Sequence, residues 1–114
     1  MISVYGIKNC DSVKKATRFF KLHDLAYTLV DFKTTPVGCD KVNTWLTQTD
    51  MKTLLNTRGT TYRTLGLKAL DLTDKAKAEW LCKENILIKR PVIEYENSLI
   101  VGFNSTQYEG AFLS

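Results

Sequence analysis

The chain has 114 residues, 44% hydrophobic and 25% charged, the size and composition of one globular domain with no low-complexity stretch. Its 16 basic and 12 acidic side chains give a net charge of +4, a mild excess that favours anionic partners. That excess comes without any lysine or arginine run, finger or RNA-binding signature, so nucleic acid is not the expected partner. No apolar stretch is long enough to span a bilayer, and the opening MISVYG lacks the features of a secretory leader. The expected setting is the reducing cytoplasm, with no membrane partner.

Ile2 to Tyr5 is a short β-prone run, followed by the turn-like Gly6 and then Cys10. From Asp11 the period changes: Val13, Ala16, Phe19 and Phe20 share one helical face, which predicts a helix over about residues 11 to 24. Tyr27 to Phe32 is the next strand, so the opening reads as a parallel β-α-β unit. After Pro36 and Gly38 a second helix places Val42, Trp45 and Leu46 together. Leu54 to Leu67 has no long clean period and reads as short helical turns around Gly59. Thr73 is a plausible N-cap with Asp74 in the first turn, and Ala76, Trp80 and Leu81 form the stripe of the helix that follows.

Pro91 closes this helical stretch. Val92 to Tyr95 and Leu99 to Phe103 are two strands around the turn Glu96-Asn97-Ser98, and a last helix begins near Ser105. The pattern predicts an α/β chain: a β-α-β half and a β-β-α half separated by a helical insertion at about 36–88, together one thioredoxin-like (glutaredoxin-like) domain over 1–114.

The three cysteines, Cys10, Cys39 and Cys82, are odd in number and far apart, and none forms a Cys-x-x-Cys pair. A disulfide framework is not expected, and at least one thiol must stay free. Cys82 beside Trp80 and Leu81 reads as packed, and Cys39 as structural. Cys10 sits where a strand-to-helix loop meets the helix start. Free N–H groups and the positive end of the dipole there favour the nucleophilic thiolate. Lys8, Asn9 and Ser12 flank it as stabilising or anion-binding groups, while Asp11 opposes. The competing reading makes Cys10 a small buried hydrophobe. Val13 stands where a resolving cysteine would be, so a mixed disulfide at Cys10 needs an outside thiol.

Arg90-Pro91 is the second informative pair: a proline at a strand start marks a constrained turn, cis or trans, and the arginine offers a fork of donors to an anion. Arg58 and Arg63 flank Gly59. Arg63 reads as surface, and Arg58 stays open between surface and anion binding. His23 has no histidine partner, so neither zinc nor a Cys–His dyad is expected, and no phosphate loop or dinucleotide fingerprint appears.

YGIKNCDSVKKA, LLNTRGTTYRTLGL and IKRPV, in this order across the chain, together resemble the arsenate reductase ArsC / Spx / YffB family, and within it the YffB-like branch. The resemblance implies a thioredoxin-like fold, Cys10 as the active thiol and a cis bond at Arg90-Pro91. Arsenate reductases of this family have a histidine where this chain has Gly6, an arginine where it has Asn56, and another where it reads Val101-Gly102-Phe103. Of the oxyanion-gripping arginines only Arg90 is matched, with Arg58 two residues from a lost position. The Spx branch uses a Cys-x-x-Cys switch and binds RNA polymerase, and Val13 argues against both here. The expected function is a monothiol, glutathione-linked reductase acting through Cys10, with glutathione as co-substrate and no bound cofactor. The alternatives are arsenate reduction and a non-enzymatic binding module of the Spx kind.

Overall fold

The computed structural model describes residues 1–113. The chain divides into two compact units. The first joins Met1–Asp31 to the residues from Arg90 on, and the second is the inserted segment Phe32–Lys89.

The first unit is built on a four-stranded sheet. Strand β1 (Ile2–Gly6) leads into α1 (Asp11–Leu22) and β2 (Tyr27–Asp31). The later part supplies β3 (Val92–Tyr95) and β4 (Ser98–Val101), and a closing helix over Ser105–Phe112. The order is β2-β1-β3-β4, with β1 parallel to β2 and antiparallel to β3, and β3 antiparallel to β4. This is the α/β, thioredoxin-like arrangement that the alternation of periods predicts.

The apolar stripe of α1, Val13, Ala16, Phe19 and Phe20, is buried with Val4, Ile93, Ile100 and Tyr108. Around Tyr108 the rings of Phe19, Phe20, Phe103 and Phe112 lie 4.9–5.7 Å away, most of them edge-on, the geometry that aromatic quadrupoles favour. Burial pushes the Tyr108 phenol well above its usual range, and its hydroxyl donates to the Gly102 carbonyl at 2.8 Å.

Helix α1 stops at Leu22, two residues earlier than its period suggests. Asp24 adopts a left-handed conformation (φ 56°). Its N–H reaches Lys21 O at 3.2 Å, and the Leu25 N–H reaches Phe20 O at 2.8 Å, a Schellman ending with aspartate in place of glycine. The hairpin is also tighter than expected. Glu96 and Asn97 both have positive φ, 44° and 64°, so the turn has two residues and Ser98 already pairs with Tyr95.

The inserted unit contains α2 (Cys39–Gln48), α3 (Met51–Leu54), α4 (Thr60–Thr64), a 3-10 turn Leu67–Leu70, α5 (Asp74–Lys83) and a second 3-10 turn Asn85–Leu87, so the closing helix is α6. Side chains cap two of these helices: Asp50 accepts from the Thr53 N–H at 2.7 Å, and Thr73 from the Ala76 N–H at 3.2 Å. Val42, Trp45, Leu54 and Leu81 are fully buried, whereas Leu46, Ala76 and Trp80 of the expected stripes are only half-buried.

Cys39 and Cys82 are joined by a disulfide, with Cα atoms 4.9 Å apart. This corrects the expectation that neither is paired. A separation of 43 residues carries no local signal, and the pairing arises because α2 packs on α5 and brings the start of one beside the end of the other.

Candidate functional site

Cys10 lies at the N-cap of α1, with extended backbone angles (φ −95°, ψ 127°), and its side chain makes no capping hydrogen bond. The sulfur therefore stands at the helix start without being spent on the helix. The loop that presents it is pinned at three points. The Cys10 N–H donates to Ile7 O at 3.3 Å, the Lys14 N–H donates to Cys10 O at 3.0 Å, and the Lys8 N–H donates to the Asp31 carboxylate at 3.3 Å. Cys10 is half-buried against the aromatic core, and it is the free cysteine of the chain. Lys8 and Asn9 are exposed beside it, and Ser12 is half-buried.

Arg90 reaches the same corner from the other side. The antiparallel register pairs Tyr5 with Val92, so one step further along Gly6 faces Pro91. The Arg90-Pro91 bond is cis. A Cβ built on Gly6 would lie 3.7 Å from the Arg90 Cβ and 2.5 Å from a Val13 methyl. Val13 is 1% exposed and cannot yield, so only glycine fits where β1 ends. A histidine at this position would collide with the helix. The Arg90 Nε is shielded from solvent. The Pro91 carbonyl accepts the Gly102 N–H at 2.7 Å, and the Gly102 carbonyl accepts the Tyr108 hydroxyl, so a chain of contacts ties this turn to α6. Gly102 has φ +86°, a conformation that glycine adopts freely.

Cys10, Lys8, Asn9, Ser12, Arg90 and Pro91 therefore belong to one unit. Arg58 belongs to the other, where it is exposed. Its N–H donates to the Asn56 side chain at 3.2 Å, and Asn56 is folded over Gly59, where an added Cβ would approach its Nδ2 to 2.9 Å. The position where arsenate reductases of the resembled family have an arginine thus holds a short carboxamide engaged with its own loop. Arg63 is exposed on α4. Two supporting residues escaped the sequence reading. Asp31 is signalled only as an acid near the end of a strand, and Tyr108 only as one of two aromatics in the last helix. Among the described residues no three His, Cys, Asp or Glu side chains gather closely enough to hold a metal ion, and no helix is long and apolar enough to cross a membrane.

A four-stranded α/β sheet with a cysteine at the first helix start and a proline turn beside it defines the thioredoxin-like class. Within that class the chain belongs to the ArsC family, whose model matches residues 5–111. It is similar to an uncharacterised protein of Haemophilus influenzae, 38% identical over 98% of this chain and 99% of that one. It is also similar to the solved YffB protein, with a TM-score of 0.91 and 33% identity over 97% of this chain and 98% of that one. The global transcriptional regulator Spx of Listeria innocua is 28% identical over 94% of this chain and 83% of its own length.

Proposed function

We propose that the protein is a thiol-dependent oxidoreductase that uses Cys10 as its single nucleophile and glutathione as its co-substrate. The observation that supports this most is the state of the cysteines: Cys10 is free at the helix start, while the other two are bonded to each other. In the proposed cycle the Cys10 thiolate attacks the glutathione sulfur of a mixed disulfide, and the substrate leaves as a thiolate that takes up a proton. A second glutathione thiolate then attacks the glutathione sulfur bound to Cys10. Glutathione disulfide departs, and the electron pair returns to Cys10. The helix start leaves backbone N–H groups without intrahelical partners, and their partial positive charge favours a thiolate there. Arg90, with Lys8, Asn9 and Ser12 nearby, holds a carboxylate of the tripeptide.

Arsenate reduction is the weaker reading. Gly6 and Asn56 replace a histidine and an arginine, and each is locked in its own packing. The regulatory reading, suggested by the Spx relative, lacks its dithiol because Val13 is a buried core residue. The test is brief exposure of the folded protein to glutathione disulfide, followed by intact mass and peptide mapping. One glutathione on Cys10 is expected. An inert Cys10 would overturn the reading.

A further inference from the structure

The Cys39–Cys82 bond lies outside the site just described, and three features set it apart from a buried structural cross-link. Cys39 is solvent-exposed at the first position of α2, and Cys82 is half-buried. Cys39 also opens onto a recess of about 610 Å³ lined by Val37, Gly38, Asp40, Lys41 and Thr44. Gly38 faces open space there, so an incoming molecule meets no side chain at the residue before the sulfur.

The third feature is a second tie at the same seam. Asn85 is 7% exposed, and its carboxamide clasps Val37 in both directions: Oδ1 accepts the Val37 N–H at 2.7 Å, and Nδ2 donates to Val37 O at 3.2 Å. Nδ2 also donates to Leu81 O at 2.9 Å. Val37 precedes Cys39 by two residues, and Asn85 follows Cys82 by three. With Val42, Trp45 and Leu81 fully buried, α2 and α5 have reasons to stay together that do not involve sulfur. Opening the bond would leave the two thiols side by side, ready to close again.

We propose that Cys39 and Cys82 form a second redox site, independent of Cys10, that exchanges electrons with small peptide thiols and their disulfides while the fold stays intact. A thiolate of the external thiol attacks the sulfur of Cys39, the more exposed residue of the pair. The Cys39–Cys82 bond breaks, and its electron pair leaves on Cys82, which takes up a proton. A second external thiolate attacks the external sulfur of the mixed disulfide and releases Cys39, which is protonated in turn. The protein gains two electrons and two protons, and two thiols become one disulfide. One acidic and one basic side chain in the recess, Asp40 and Lys41, suit a zwitterionic peptide thiol such as glutathione.

The test uses Cys10→Ser protein, so that failure of the Cys10 reading leaves this one untouched. The protein is equilibrated in glutathione buffers from fully reduced to fully oxidised and alkylated, and its thiols are counted by mass. Near-ultraviolet circular dichroism follows the fold. Expected are a reversible change of two thiols, reached from both directions, and an unaltered tertiary signal. A bond that opens only in denaturant, or a reduced pair that does not close again in the folded protein, would overturn the proposal. The direction of attack has its own check. With Cys82→Ser added, glutathione disulfide should modify Cys39 at least tenfold faster than it modifies Cys82 when Cys39→Ser is added instead. Equal or reversed rates would contradict the assignment of Cys39 as the attacked sulfur.

Discussion

In the sheet unit, every strand lends a buried or half-buried face to an aromatic core around α1, and backbone ladders join all four strands. The inserted unit has no such sheet. Its α-helices run ten, four, five and ten residues. Lengths like these are marginal in water without tertiary support. It relies instead on Trp45, a few buried leucines, the Asn85 clasp and the disulfide. The contrast shows where chemistry can sit. Cys10, at the start of the helix that follows a laddered strand, is held by many weak contacts, none of them covalent. A covalent tie in the helical unit can be made and broken because other contacts duplicate it.

The largest expected effect comes from removing that tie. Chain-entropy arguments put a cross-link across 43 residues at about 4 kcal/mol. The Cys39→Ser, Cys82→Ser protein should lose stability on that scale in urea titration. Its amide exchange should quicken in α2 and α5 and stay unchanged in β1 and β3. A loss below about 1 kcal/mol, a quarter of the cross-link figure, would mean that the bond hardly restricts the unfolded chain. Gly6→Ala sharpens the comparison from the other side. The added methyl meets Val13, and overpacking of this kind costs about 1–3 kcal/mol, here confined to the sheet unit. Equal stability of the two proteins would show that the end of β1 is looser than the contacts imply.

The smallest effect concerns acid. Hydrogen bonds from Thr53 to the Asp50 side chain hold that carboxyl below its usual value. A depressed folded value contributes stability above the unfolded value and loses it as pH falls through the folded one. The protection of the Thr53 amide, its exchange rate taken relative to the intrinsic one, should therefore fall as pH falls below the ordinary aspartate range, while the protection of the sheet amides does not change. Exchange that ignores this titration would remove Asp50 as a cap.

Much of this was legible in the residues. The switch from a two-residue to a helical period at Asp11 marks α1, and the turn residues around Pro91 mark the return to strands. The cysteine at the helix start follows from both. What was not legible depends on contacts across the sequence or on single backbone angles. Asp24 ends α1 by entering a left-handed conformation that aspartate adopts only with local help. Cys39 and Cys82 meet through packing of helices whose stripes are short and broken. Asn85 carries no signal of its own in the sequence, yet it is buried and clasps Val37 with both its polar groups.

The central claim is that the reductase chemistry belongs to Cys10 and the sheet unit. It is tested most directly in a Cys39→Ser, Cys82→Ser background, which removes the second pair, by glutathione-dependent turnover of a small mixed disulfide before and after Cys10→Ser or the surface control Arg63→Ala is added. Turnover should fall to the uncatalysed background with Cys10→Ser and stay unchanged with Arg63→Ala. Turnover that persists without Cys10 would contradict the assignment.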